Sequence, residues 1–307
     1  MQDFPSSLKI ALVQGTPILF DKKATVRKAA EQILEAGAAG AQLIVFPESY
    51  IPCYPYGLTF GFTVGAREES GRKDWKRYYD NALLVPGPET DCIAEAARKT
   101  QSYVSIGITE REALSCTLYC TNLIFAPDGH IVSHHRKLKP TGAERVIWGD
   151  GHLGSFPVVE TPWGIAGSLI CWENYMPLAR ATLYQKGVSL YLAPNTNNNT
   201  EWQDTVRHIG IEGRCFVFNV NQYFRRADYP KDLHCPSEIA ALPEEPCSGG
   251  SCLVDPYGHY VIAPVWGKEV LLYAEIDPNV AAESRMEFDV AGHYSRPDVI
   301  SLNLQEE

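Results

Sequence analysis

The 307-residue chain has no apolar run approaching the roughly 20 residues that a helix needs to span a bilayer, and no repetitive or low-complexity tract. Its first residues, Met1-Gln2-Asp3-Phe4-Pro5-Ser6-Ser7, lack the basic flank and apolar core of a secretory signal. Basic residues are in deficit: 27 Lys and Arg against 37 Asp and Glu give a net charge of -10, which disfavours a general nucleic-acid-binding surface. The nine cysteines are an odd number in no dense disulfide framework, so a reducing compartment is expected. These absences predict a soluble, cytoplasmic protein with neither nucleic acid nor membrane as partner. With 45% hydrophobic and 21% charged residues, the chain can bury a substantial core as a single domain over 1–307. A short tail is expected from about 299, ending in the solvated Gln305-Glu306-Glu307.

Metal and nucleotide signatures are missing as well. Cys116 with Cys120, Cys247 with Cys252, and the pair His134-His135 lack the paired spacing of a ligand set, so no metal is expected. Gly149-Asp150-Gly151-His152-Leu153-Gly154 spells G-x-G-x-x-G, but no helix follows it to present amides to a phosphate.

What is present is an alternation of strand-like and helix-like segments. Residues 8–14 read as a strand, and Val26, Ala29, Ala30, Ile33 and Leu34 then follow one helix face. A helix is expected over 91–100, a strand over 103–108, and a hairpin within 122–132 turning at Asp128-Gly129. Further strands are expected over 188–193, 216–221 and 270–276, a helix over 200–214 with Thr200 as cap, and a second hairpin at Pro256-Tyr257-Gly258. Segments 54–86 and 225–250 read as long loops or insertions, where substrate choice and subunit contacts usually sit. The pattern alone gives an α/β fold.

Three strands end in reactive side chains. The stretch 163–170 reads as a buried strand ending at Cys171, and a helix with proline in its first turn follows from Met176-Pro177. A thiol at such a junction lies in the usual ligand crevice of an α/β sheet, near a helix N-terminus that favours the thiolate. Ala41-Gln42-Leu43-Ile44-Val45-Phe46-Pro47 leads into Glu48, and Ile131-Val132-Ser133-His134-His135-Arg136 leads into Lys137. One sheet edge would gather all three into one crevice, which is what a thiol hydrolase needs.

Four stretches carry a resemblance: Phe46-Pro47-Glu48-Ser49-Tyr50, His135-Arg136-Lys137-Leu138-Lys139-Pro140-Thr141, Glu144-Arg145-Val146-Ile147-Trp148-Gly149, and Cys171-Trp172-Glu173-Asn174-Tyr175-Met176-Pro177. In sequence, order and spacing the chain resembles the carbon-nitrogen hydrolase (nitrilase) superfamily from about Lys9 to Asp298. The Cys-Trp-Glu-Asn form and the late Gly292-His293-Tyr294 segment are similar to its true nitrilase branch. The resemblance implies a four-layer α-β-β-α sandwich. It implies Cys171 as nucleophile, Glu48 as general base, Lys137 as electrostatic stabiliser and Glu144 as the additional glutamate beside them, with no cofactor. Trp172, Tyr54 and Asn195 are candidates for substrate contact. The expected reaction is hydrolysis of an organic nitrile to an acid and ammonia through a covalent thioimidate and thioester. An amidase or carbamoyl hydrolase with the same triad, or a silent interaction protein on the same scaffold, are the alternatives. A homodimer or larger homo-oligomer is implied, through the helix that opens at Met176 and with Tyr184 on its outer face. The chain departs from the branch where Asp150-Gly151-His152 follows Trp148-Gly149 directly, and in its short tail.

Overall fold

The computed structural model describes residues 4–152 and 156–304. The last two positions of the G-x-G-x-x-G stretch and the Gln305-Glu306-Glu307 end lie outside the described residues. In chain order the elements are β1 (Leu8–Gln14), α1 (Lys22–Ala38), β2 (Leu43–Val45), the small strands β3 (Phe62–Thr63) and β4 (Ala66–Arg67), α2 (Glu69–Asp80) and α3 (Pro88–Thr100). Then come β5 (Tyr103–Arg111), β6 (Leu118–Phe125), β7 (Ile131–Arg136), β8 (Val158–Thr161), β9 (Gly164–Ser168), α4 (Pro177–Gln185) and β10 (Val188–Asn195). The chain continues through α5 (Glu201–Gly213), β11 (Phe216–Asn221), β12 (Tyr223–Phe224), α6 (Pro236–Ala240), β13 (Cys247–Val254), β14 (Tyr260–Trp266), β15 (Val270–Ile276) and α7 (Asn279–Ser284).

Side-chain alternation along the strands explains the layers. On β1, Leu8, Ile10 and Leu12 join Val45 of β2, Leu190 and Leu192 of β10 and Phe216, Phe218 and Val220 of β11 in one apolar cluster between two sheets. The intervening Ala11 and Val13 face the other way and pack with Val26, Ala29 and Ile33 of α1 and Ile93 and Ala97 of α3. In the same manner Tyr191 and Ala193 of β10 turn outward to meet Leu183 of α4 and Trp202, Val206 and Ile209 of α5. The result is α-β-β-α in layers, the sandwich expected from the resemblance.

The first sheet runs β15-β1-β2-β5-β6-β7 and the second β12-β13-β11-β10-β9-β8, with β14 beside β13. The parallel pairs β1/β2, β9/β10 and β10/β11 are bridged by α1, α4 and α5, as parallel strands require a crossover. Helix α1 opens where the Asp21 carboxylate accepts from Ala24 N–H at 2.9 Å. Thr200, expected to cap α5, is itself helical and makes no side-chain cap bond, so that helix starts without the anticipated device.

The two long segments are not structureless. The first folds β3, β4 and α2, and the second contains α6. Buried Asp74 on α2 accepts the amides of His234 at 2.8 Å and Cys235 at 2.8 Å, and Glu238 on α6 accepts Thr59 N–H at 3.1 Å and Gly61 N–H at 2.9 Å. Each insertion therefore supplies a carboxylate to satisfy the other's backbone, which ties the two together.

Candidate active site

Glu48, Lys137 and Cys171 come together, but not along a single sheet edge as the sequence suggested. Glu48 follows β2 and Lys137 follows β7, both in the first sheet, whereas Cys171 follows β9 in the second. The site closes across one end of the sandwich, where the C-terminal ends of strands from both sheets meet.

Each turn is sharp for a local reason. Glu48 leaves its strand through Pro47, and the next residue, Ser49, adopts a left-handed φ of 46°. Its hydroxyl shares a bond of 2.7 Å with Thr109 on β5, which holds the strained turn. Gly107 on β5 lets this turn approach: a Cβ there would stand 2.3 Å from Pro47 O and 2.7 Å from Glu48 Cα. Cys171 likewise has a left-handed φ of 49° and opens a 3-10 turn over Cys171–Tyr175. The α-helix starts only at Pro177, so the sulfur lies a full short turn away from the helix N-terminus that was expected to favour its thiolate.

Lys137 is 1% exposed, and its ammonium donates to Glu48 Oε1 at 2.6 Å and to Glu144 Oε2 at 2.8 Å. Glu144 is held from two more sides, by Tyr54 OH at 2.7 Å and by Thr141 N–H at 2.7 Å. Glu48 Oε2 accepts from Thr196 Oγ at 2.9 Å, Oε1 accepts weakly from Cys120 Sγ at 3.5 Å, and the Glu48 carbonyl accepts from Gln222 Nε2 at 2.6 Å. Burial lifts Glu48 above the ordinary carboxylate range, with Lys137 opposing and Glu144 adding to the rise. Burial works against the Lys137 charge, but the carboxylates of Glu48 and Glu144 outweigh it and hold Lys137 well above the usual lysine range. Burial, then Glu48, push the Cys171 thiol well up, against the pull of Lys137. Both shifts favour the protonated forms, a neutral thiol on Cys171 and a carboxyl of raised proton affinity on Glu48.

Beneath Glu48, Lys137 and Cys171 lies a second, closed set of bonds. Glu173 accepts the Leu138 amide at 2.6 Å, the Ile170 amide at 2.6 Å and His135 Nε2 at 2.9 Å. It thereby ties the residue after Lys137 to the residue before Cys171. Asn174 donates to Cys171 O at 2.7 Å and accepts from Tyr191 OH at 2.7 Å, fixing the elbow from its other side. Gly151 N–H donates to Lys137 O at 2.8 Å, and a Cβ at this position would meet Arg136 O at 2.4 Å. The described part of the glycine-rich stretch thus supports the lysine turn.

A cavity of about 210 Å³ opens onto this set and is lined by Tyr54, Glu144, Cys171, Trp172, Thr196 and the rim Asn197–Asn198–Asn199, among others. Tyr54 and Trp172, the candidates for substrate contact, both line it. Asn195 does not line this cavity; its amide donates to Asn219 Oδ1 at 2.6 Å and its carbonyl oxygen accepts Asn197 N–H at 3.0 Å, so it shapes the turn that carries the rim. Sequence reasoning missed Thr196, Glu173 and Gln222. The signal for Thr196 was the polar burst Asn195-Thr196-Asn197 at the end of a buried strand that runs two residues further than expected. Among the described residues no group of three or more His, Cys, Asp and Glu side chains is placed to hold a metal ion, and no helix is long and apolar enough to cross a membrane.

The sequence pattern of the carbon-nitrogen hydrolase family matches residues 9–286. The chain belongs to this family. It is 44% identical over 303 residues to an aliphatic nitrilase of Sinorhizobium fredii, covering 98% of this chain and 97% of that protein. A bifunctional nitrilase/nitrile hydratase of Nicotiana tabacum is 41% identical, over 98% of this chain and 86% of its own length. Nitrilase 1 of Arabidopsis thaliana is also 41% identical, over 98% and 88%. Among solved structures the fold matches Saccharomyces cerevisiae Nit3, a nitrilase-superfamily member, with a TM-score of 0.74 at 21% identity, over 96% of this chain and 99% of that one.

Proposed function

We propose that this carbon-nitrogen hydrolase is a nitrilase, converting an organic nitrile and two waters to a carboxylic acid and ammonia. Likeness over 98% of the chain to proteins named nitrilases favours a nitrile over an amide substrate. The observation that carries the chemistry is the buried Glu48–Lys137–Glu144 chain, whose Glu144 end lines one cavity together with Cys171.

In this reading Glu48 takes the Cys171 proton as sulfur attacks the nitrile carbon, and it then protonates the nitrogen to leave a thioimidate. Glu48 next activates a water, whose addition gives a tetrahedral carbon that expels ammonia and leaves a thioester. A second water, activated in the same way, releases the acid and regenerates the thiol. Charge at each tetrahedral stage falls to Lys137 and to the Trp172 amide, which precedes the first hydrogen bond of its turn, from Glu173 N–H to Ile170 O at 3.1 Å. A preorganised donor of this type contributes about 3–4 kcal/mol. The cycle uses no cofactor, and the whole chain acts as one catalytic domain in the cytoplasm.

A homodimer through the start of α4 belongs to the same proposal. Trp172, Tyr175, Met176 and Leu178 are exposed there, Leu178 at 69%, and burying such a patch against its copy would brace the cysteine elbow. Tyr184, expected on that outer face, is 4% exposed and bonds to Glu212 at 2.9 Å, so Leu178→Glu is the variant that probes the contact. Ammonia release from a nitrile panel and from the matching amides tests the substrate assignment. Turnover of the amides alone would replace it with the amidase alternative.

A further inference from the structure

Thr196 is the first residue beyond β10, is 6% exposed and lines the cavity. Its hydroxyl donates to Glu48 Oε2 at 2.9 Å, and it shares the cavity lining with Cys171. Glu48 Oε1 is already occupied by Lys137 at 2.6 Å and by Cys120 at 3.5 Å, so Oε2, with one partner, is the oxygen left with capacity for the thiol proton. Glu48 belongs to the first sheet, whereas Thr196 and Cys171 belong to the second. Base and nucleophile therefore need a connection across the sandwich that fixes their relative position.

Resting on the base and nucleophile roles proposed above, we infer that Thr196 is a positioning residue that sets Glu48 against Cys171, its hydroxyl fixing the reactive carboxylate oxygen. A hydroxyl suits the task because it donates to the carboxylate and, by rotating, accepts once Glu48 carries the proton. The same contact biases Glu48 toward its charged form, since a hydrogen bond to the anion favours the anion. The other groups that face Glu48 are Lys137 after β7, Glu144 in the adjoining turn, Cys120 on β6, Tyr54, Cys171 and Cys247 on β13. None of these changes when the Thr196 hydroxyl alone is removed.

The test uses two readouts against pH: kcat/KM for ammonia release, and the rate at which iodoacetamide alkylates Cys171, each of which reports the coupled Glu48–Cys171 pair. Thr196→Val removes the hydroxyl and keeps the shape. Its acid limb should move up by about half a unit to one unit in both readouts, with kcat at pH 7 falling roughly three- to tenfold. Thr196→Ser keeps the hydroxyl and should keep the wild-type limb. Thr196→Ala replaces the valine variant if circular dichroism shows the latter misfolded. A Val or Ala limb that coincides with wild type, or a Ser limb displaced as far as Val, overturns the inference. The alkylation profile decides this even if the wild type releases ammonia only from amides, so failure of the nitrile reading is told apart from failure of Thr196's role.

Discussion

Glu48 behind the cavity and Glu173 in the brace beneath it are both buried carboxylates paired with a basic side chain, Lys137 at 2.6 Å and His135 at 2.9 Å. Their proton affinities are displaced in opposite directions. Glu48 lies above its ordinary value because burial dominates and Glu144 competes for the same ammonium. Glu173 lies below it: burial is again the largest influence, but His135 and the amides of Leu138 and Ile170 together outweigh it. Backbone amides cannot be titrated or swung away, so a carboxylate that satisfies two of them is locked as an anion and serves as a strut. A carboxylate held by side chains and crowded by a second carboxylate is left ready to take a proton. Donor type, more than depth of burial, separates the raised carboxylate from the depressed one here.

Glu48→Gln is the most severe way to break the comparison. It keeps the shape and removes the proton acceptor, so thiol activation and both water attacks fail together. We expect kcat to fall by about four orders of magnitude, with an unchanged circular dichroism spectrum. Cys171→Ala should be as inactive, and in the wild type a trapped acyl adduct should map by mass spectrometry to the peptide containing residue 171. Labelling at Cys53 or Cys215 instead would overturn the nucleophile. Lys137→Ala comes next, with a loss of about two to three orders of magnitude in kcat, by the cost of removing one oxyanion donor. Near-wild-type turnover would mean that the ammonium serves only to neutralise its two carboxylates.

Glu173→Gln sharpens the other half. If Glu173 is a strut, the loss falls mainly on stability, by about 2–4 kcal/mol, because amides and His135 are left with a poorer acceptor. Turnover should drop only about tenfold through slippage of the two turns. The pH dependence has a definite sign: a carboxylate whose folded value is depressed adds stability that is present above its unfolded value of 4.5 and lost as pH falls through the lower folded value. Urea melts at pH 7 and pH 4 should therefore show a smaller pH dependence in the variant than in wild type. Equal dependence would sink the strut assignment.

Much of this arrangement was legible before any coordinates. Strands β1, β11 and β15 coincide with their expected ranges because each is a short apolar run with clear turn signals at both ends. Glu48 and Cys171 stood out because each follows a buried apolar run, whereas Lys137 sits in a basic cluster and stood out only as the third reactive side chain at a strand end. Helix α2 was hidden because its twelve residues are mostly charged, and its buried face is made of Gly71, Asp74 and Tyr78, which no apolar periodicity marks. The sheet membership of the three site residues was also hidden. Strand ends show which side chains emerge at a turn, but long-range pairing decides which sheet each strand joins.

Tyr54→Phe carries the smallest expected effect and reaches the join between the two regions. Tyr54 lines the cavity and donates to Glu144 Oε1 at 2.7 Å, while Glu144 Oε2 holds Lys137 at 2.8 Å and Thr141 N–H at 2.7 Å. Burial keeps the phenol neutral, so its role is that of a donor and not of an acid. Removing the hydroxyl leaves Glu144 its two contacts on the other oxygen, and the ring still packs edge-on to Trp148 at 5.6 Å. Glu144 then loses one of three restraints, and Lys137 is held less firmly when charge develops on the substrate. Loss of one such bond is worth about 1 kcal/mol, which corresponds to a roughly fivefold fall in kcat. KM should stay close to wild type if Tyr54 acts through Glu144. A rise in KM at constant kcat would instead make Tyr54 a direct substrate contact, and would move it from the supporting network into the binding surface.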